Sequence, residues 1–115
     1  MKNIFDLILK TLSDAKIAPV YALGAHKGVI DGPTIVVKPS TSNQYRSYST
    51  SIRYFDIMCY GRTISESLAL LDTVEETMKS LQFTVMPTFI RSTPWFDSNV
   101  QGWETAGTYR NFAKN

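Results

Sequence analysis

The side chains most often recruited for nucleophilic or acid–base work near neutral pH are scarce in this sequence: His26 and Cys59 each occur once. A single imidazole excludes metal sites built on two histidines and most two-histidine acid–base schemes. His26 lies in Gly24-Ala-His-Lys-Gly28, a Gly-flanked turn in which a histidine usually faces solvent. That turn has two glycines and a lysine but lacks the spacing and the Lys-Ser/Thr ending of a phosphate-binding loop. The chain has no Gly-x-Gly-x-x-Gly after a strand, no Gly-x-Ser-x-Gly and no acidic Ca²⁺ loop. Cys59 falls inside a run that reads as a central strand, which favours a buried, inert thiol. A Cys59–His26 pair has no local support. The expectation is a protein with no catalytic residues, no metal site and no cofactor.

Charged and aromatic residues offer surface chemistry instead. Glu66, Asp72, Glu75 and Glu76 make one side of a predicted helix acidic. It is either a solvated face or a surface that meets basic residues of a neighbouring subunit. Glu75 and Lys79 form a favourable i,i+4 pair, stabilising by about 0.2–0.5 kcal/mol. Tyr45, Tyr48, Tyr54, Trp95, Trp103, Tyr109 and Phe112 would stack bases if interleaved with Lys38, Arg46, Arg53, Arg91 and Arg110. However, the cations are spread singly, and aromatics in strands more often build cores and subunit interfaces. Twelve basic against ten acidic residues give a net charge of +2, too little to make nucleic acid or an anionic membrane the main partner.

The elements that must position these residues centre on Ser51 to Leu81. Ser51-Ile-Arg-Tyr-Phe-Asp-Ile-Met-Cys-Tyr60 is dense in β-branched and aromatic residues, with no Pro or Gly. Phe55, Ile57 and Cys59 alternate with Ile52, Tyr54, Met58 and Tyr60, while Arg53 and Asp56 put one charge on each side. Neither face is polar throughout, so the spacing predicts a central strand covered at least partly on both faces. Gly61 ends it. Thr63-Ile-Ser-Glu66 has the capping-box form of a helix start. Ile64, Leu68, Leu71, Val74, Met78 and Leu81 then mark one helical stripe.

Residues 3–16 read as a first helix, with Ile4, Phe5, Ile8, Leu9, Leu12 and Ala15 on its covered side, ended by Ala18-Pro19. Val20–Leu23 is a short strand, Val29–Ile30 a candidate return after the turn, and Asp31-Gly-Pro33 a second turn. Thr34–Lys38 is a strand stopped by Pro39. Residues 40–50 are rich in Ser and Thr and form a long polar loop with the start of the central strand, either an interaction element or a passive connection. Gln82–Arg91 is a strand that Pro87 places at an edge or a bulge. Residues 92–102 are a loop anchored by Trp95 and Phe96, and Trp103–Phe112 is a last strand with Gly107 as its bulge. The predicted fold is α+β, a mostly antiparallel sheet of four to six strands with two helices in the order α-β-β-β-α-β-β.

At 115 residues, 43% hydrophobic and 19% charged, the chain is an ordinary globule. A chain of this size makes one domain, residues 1–115, able to bury roughly two-thirds of its unfolded surface. One cysteine makes no internal disulfide. No apolar run approaches the roughly 20 residues of a membrane helix. The start lacks the apolar centre and cleavage site of a signal peptide, which predicts a chain kept in the cytoplasm with no membrane partner.

Ile4-Phe-Asp-Leu-Ile-Leu-Lys-Thr-Leu12 leads into Pro19-Val-Tyr21. Then come the aromatic and acidic rhythm of Arg53-Tyr-Phe-Asp-Ile-Met-Cys-Tyr-Gly61, the helix Ser65-Glu-Ser-Leu-Ala-Leu-Leu-Asp72 and paired strands to the C-terminus. Over nearly the whole chain this plan resembles the tail-terminator (tail-completion, or minor capsid) proteins of tailed bacteriophages. The likeness is one of element order and not of a diagnostic motif. It implies a homo-oligomeric ring, a hexamer in that family, that caps the tail tube, ends its elongation and presents the head-joining surface. The implied partners are further copies of the chain, the major tail tube protein and a head-completion or connector protein, with DNA only in transit. The implied place is the head-proximal end of the virion tail, after assembly in the host cytoplasm. The segment matching the family's long channel- or tube-facing loop is Pro39–Thr50. Candidate subunit or tube contacts are Lys38, Arg46, Arg53, Glu66, Asp72, Glu75 and Glu76. Alternatives are a head–tail connector or tube component, and a small ligand-binding regulator or enzyme.

Overall fold

The computed structural model describes residues 4–25, 28–39, 45–46, 50–81 and 84–114, the side chains of 45, 46, 50, 51, 89 and 112–114 excepted. The predicted central strand is β4, Thr50–Gly61, and the predicted last strand is β7, Gly102–Lys114. They run antiparallel in unbroken register, from Thr50 opposite Lys114 to Gly61 opposite Trp103. Outside this pair lie β1 (Val20–Ala22), β2 (Thr34–Pro39) and β5 (Val85–Arg91), in the order β1-β2-β4-β7-β5. Two short strands missing from the sequence reading complete the flanks: β3 (Tyr45–Arg46) pairs with β4, and β6 (Trp95–Asp97) pairs with β7.

The fold is α+β with two helices in the predicted order, but the sheet has seven described strands and is mixed. The parallel pair is β1–β2. Parallel neighbours cannot be joined by a hairpin, so the chain must cross a face of the sheet between them. Residues 23–25 and 28–33 are the described part of that crossing. Ile30, the candidate return strand, instead packs on the sheet beside Val36, Met58 and Tyr60, and its amide donates to the Val100 carbonyl at 2.7 Å.

Alternation along β4 sorts the side chains into two clusters as expected. Phe55, Ile57 and Cys59 join Ile35, Val37, Val85 and Tyr109 on the face covered by helices. There α1 (Ile4–Asp14) lies over β1 and β2, burying Ile8 and Leu12, while α2 (Ile64–Met78) lies over β4 and β7. The first helix stops before the predicted Ala15. Lys16 turns the chain at φ 54°, a left-handed conformation that ends the helix ahead of Pro19.

The buried side of α2 is rotated from the predicted stripe: Ser67, Leu70, Leu71, Val74 and Met78 are buried, while Ile64 is exposed. The cause is close approach at the β4–α2 corner. A Cβ on Gly61 would lie 2.7 Å from the Ser67 amide nitrogen and 2.8 Å from Glu66 Cβ. Ser67 is small enough to fit beneath, and its buried hydroxyl donates to the Cys59 carbonyl at 2.7 Å and shares a hydrogen bond with the Thr105 hydroxyl at 2.8 Å. The cap forms as predicted in part. Glu66 N–H donates to Thr63 Oγ1 at 3.1 Å, whereas the Glu66 carboxylate accepts from the amide of Arg62 and not from that of Thr63.

Gly107 is not the bulge. It stays in register with Ile57, and its bare Cα admits Leu71, whose Cδ1 would be 3.3 Å from a Cβ there. The irregularity lies in β5, where residues 88–90 face Thr108 alone between the Pro87–Tyr109 and Arg91–Gly107 pairs. The Thr88 hydroxyl donates to the Thr108 carbonyl and accepts from the Ile90 amide, so a side chain replaces part of the lost ladder.

Because the atom nearest a Gly61 Cβ belongs to backbone, it cannot rotate aside. Gly61→Ala is expected to cost about 2 kcal/mol by overpacking, read as a lower urea midpoint with unchanged slope. An unchanged midpoint would contradict the close approach.

Candidate functional site

The covered face accounts for the candidate nucleophile. Cys59 is fully buried, and desolvation above all, with the Glu75 charge adding, pushes its thiol well above the ordinary range. A protonated, inaccessible thiol is a poor nucleophile. His26 lies outside the described residues. Among the described residues no group of three His, Cys, Asp or Glu side chains is placed to hold a metal ion. No helix among them is long and apolar enough to cross a membrane.

The acidic face of α2 is largely occupied from within the chain. Arg91 on β5 donates from Nε to Glu75 Oε1 at 2.9 Å, and from Nη2 to Glu75 Oε2 at 2.6 Å and Asp72 Oδ1 at 3.0 Å. This two-pronged grip on Glu75 ties the edge strand to the helix. Lys79 pairs with Glu76 at 2.8 Å, not with Glu75 as the i,i+4 spacing predicts, because Arg91 already holds Glu75. Glu66 serves as the cap. Of the candidate contacts, Glu66, Asp72, Glu75 and Glu76 therefore have internal partners. Arg53 is exposed on β4. The Arg46 backbone lies in β3, its side chain outside the described atoms. Lys38 sits half-buried on β2, opposite Asp56 on the other face of the sheet.

That other face is only partly covered. The 23–33 crossing shields the end near Tyr60 with Ile30, where Gly102 is needed because a Cβ would meet Ile30 at 2.8 Å. Beyond the crossing lies an open groove of about 280 Å³. Met58 and Ala106, register partners, make its floor, and Ile90 to Ser92 of the bulged edge make a wall. Asp56 accepts from the Thr108 hydroxyl at 2.8 Å. Glu104 accepts from the Tyr60 hydroxyl at 3.1 Å. Burial first, then the charges of Asp97 and Asp56, raise the Glu104 carboxyl above the usual range, partly offset by the Tyr60 hydrogen bond and the Lys38 charge. Burial and the Glu104 charge push Tyr60 up in turn.

The sequence reading did not foresee which apolar side chains the sheet edges leave exposed. On the β5–β6 edge Ile90 is 61% exposed, Trp95 57% and Phe96 44%. Trp95 is thus no anchor. Phe96 meets Trp103 edge-on at 5.5 Å yet stays open to solvent. Near the opposite edge Leu23, just after β1, is also exposed, as is Val29 in the crossing, next to the Ile30 that reaches Val100. Strand alternation cannot identify such residues: Leu23 and Val29 lie outside strands, Ile90 lies in the β5 bulge, and β6 has only three residues.

With its folded pKa raised above the unfolded value, Glu104 makes the native state the tighter proton binder. It therefore costs stability at neutral pH, and that cost falls away as the pH drops through the raised value. Glu104→Gln keeps an acceptor for Tyr60 without the charge. Its melting temperature is expected to exceed the parent's near pH 7, the gap closing toward about pH 4. A gap that does not change with pH would contradict the assignment.

No protein-family model matches the chain, and no curated protein matches it.

Proposed function

We propose that the chain is a structural protein of a phage tail or tail-like particle, forming a ring that caps the tail tube, ends its elongation and offers the head-joining surface. The observation that supports this reading is the presence of exposed apolar side chains at two unlike sheet edges, Leu23 on one side and Ile90, Trp95 and Phe96 on the other. Copies joined through unlike surfaces form rings when the rotation closes, whereas self-pairing of one edge stops at a dimer. Aromatic side chains are the usual anchors of such contacts. The β5 edge is unsuited to strand addition, since Pro87 lacks an N–H and the bulge breaks the ladder. Contact there is through side chains. The element order is that of the tail-terminator resemblance, in which Pro39–Thr50, most of it outside the described residues, would be the tube- or channel-facing loop. The partners are further copies of the chain, the tail tube protein and a head-completion protein.

The full chain is expected to give a ring-sized species by light scattering and electron microscopy, and to bind the ends of assembled tubes. Particles assembled without it are expected to carry overlong tails. A chain that stays monomeric at high concentration and ignores tube ends would contradict the reading. Filled heads without tails would favour the connector alternative.

A further inference from the structure

Tyr109 is 1% exposed, and its hydroxyl has no hydrogen-bond partner among the described residues. A buried donor without an acceptor costs stability that a phenylalanine of the same shape avoids. The hydroxyl leans along β7 toward Gly107, where a Cβ would lie 4.0 Å from it and 3.3 Å from Leu71 Cδ1. Gly107 pairs with Arg91 on β5, and Leu71 stands one helical turn before Glu75 on α2. The buried hydroxyl is therefore close to the place where Arg91 grips the helix.

Glu75 is the carboxylate at that place. Its two oxygens face outward and accept from Arg91, at 2.9 and 2.6 Å. The Glu75 side chain is 32% exposed and that of Arg91 40%, so water competes for the pair. Burial first, then the charge of Glu75, push the Tyr109 hydroxyl above its ordinary range, and Arg91 opposes them more weakly. A carboxylate held from the solvent side, beside a buried donor that lacks an acceptor, has two partners to choose between.

We propose that Glu75 is a two-position latch. Clamped to Arg91, it ties β5 to α2 and leaves the Tyr109 hydroxyl unpaired. Released from Arg91, it turns inward and accepts from that hydroxyl. A carboxylate that engages Arg91 at the β5 edge thus changes how α2 is held on the sheet. The latch is a property of the single chain and requires no ring.

The test is a set of thermal melts of the full chain at neutral pH. Tyr109→Phe is introduced into the parent, into Arg91→Met, and into Arg91→Met with Glu75→Ala. In the parent it removes an unpaired donor and is expected to raise the melting temperature by about 4 °C. In Arg91→Met it removes the new hydrogen bond and is expected to lower the melting temperature by a similar amount. With Glu75→Ala added the rise is expected to return, because the acceptor is gone. An equal rise in the parent and in Arg91→Met overturns the latch. So does a fall in the parent, which means that the hydroxyl is already paired, and so does a fall that survives Glu75→Ala, which places the acceptor elsewhere. Arg91→Leu replaces the methionine variant if that chain does not fold.

Discussion

The register of β4 against β7 is the constraint on which the other elements depend. Because side chains alternate, a slip of β4 by one residue would carry Phe55, Ile57 and Cys59 to the open face and bring Asp56 and Met58 beneath the helices. Gly61 and Ser67 pin that register at one end. The close approach of strand to helix tolerates no Cβ at Gly61, and the Ser67 hydroxyl links the Cys59 carbonyl to the Thr105 hydroxyl. One short corner thus fixes β4, β7 and α2 relative to one another. Arg91 adds a second tie from α2 to the sheet edge.

The two faces divide stability and availability between them. The helix face carries the larger apolar cluster and buries its polar groups. The other face is shielded at one end by Ile30 and left as a groove at the rest, with a carboxylate whose charge the fold does not favour. The outer edges follow the same division. Pro87 and the bulge guard β5 against indiscriminate strand pairing while leaving Ile90, Trp95 and Phe96 outward.

Much of the frame was legible because local physics and tertiary packing agree there. Period-two alternation in Ser51–Tyr60, the cap at Thr63 and the edge position of Pro87 all follow from short-range rules. Other features depend on groups far apart in sequence. The parallel β1–β2 pair requires Ile30 to find Met58 and Tyr60 across the sheet. The rotation of α2 depends on Gly61 making room for Ser67. The spacing left the acidic helix face as either a solvated face or a subunit contact, and nothing in it revealed that Arg91 reaches Asp72 and Glu75. Trp95 read as an anchor by residue type, yet it stands exposed on the three-residue β6.

The most direct measurement of the central claim, that unlike edges join successive copies, is complementation between two chains. One carries Leu23→Asp and the other carries Ile90→Asp with Trp95→Asp, all at exposed positions. Each chain alone retains one working edge and finds no partner for it among its own copies. The account predicts that each is monomeric alone and that an equal mixture forms dimers and nothing larger, as measured by light scattering. A mixture that stays monomeric, or either chain assembling alone, would contradict it.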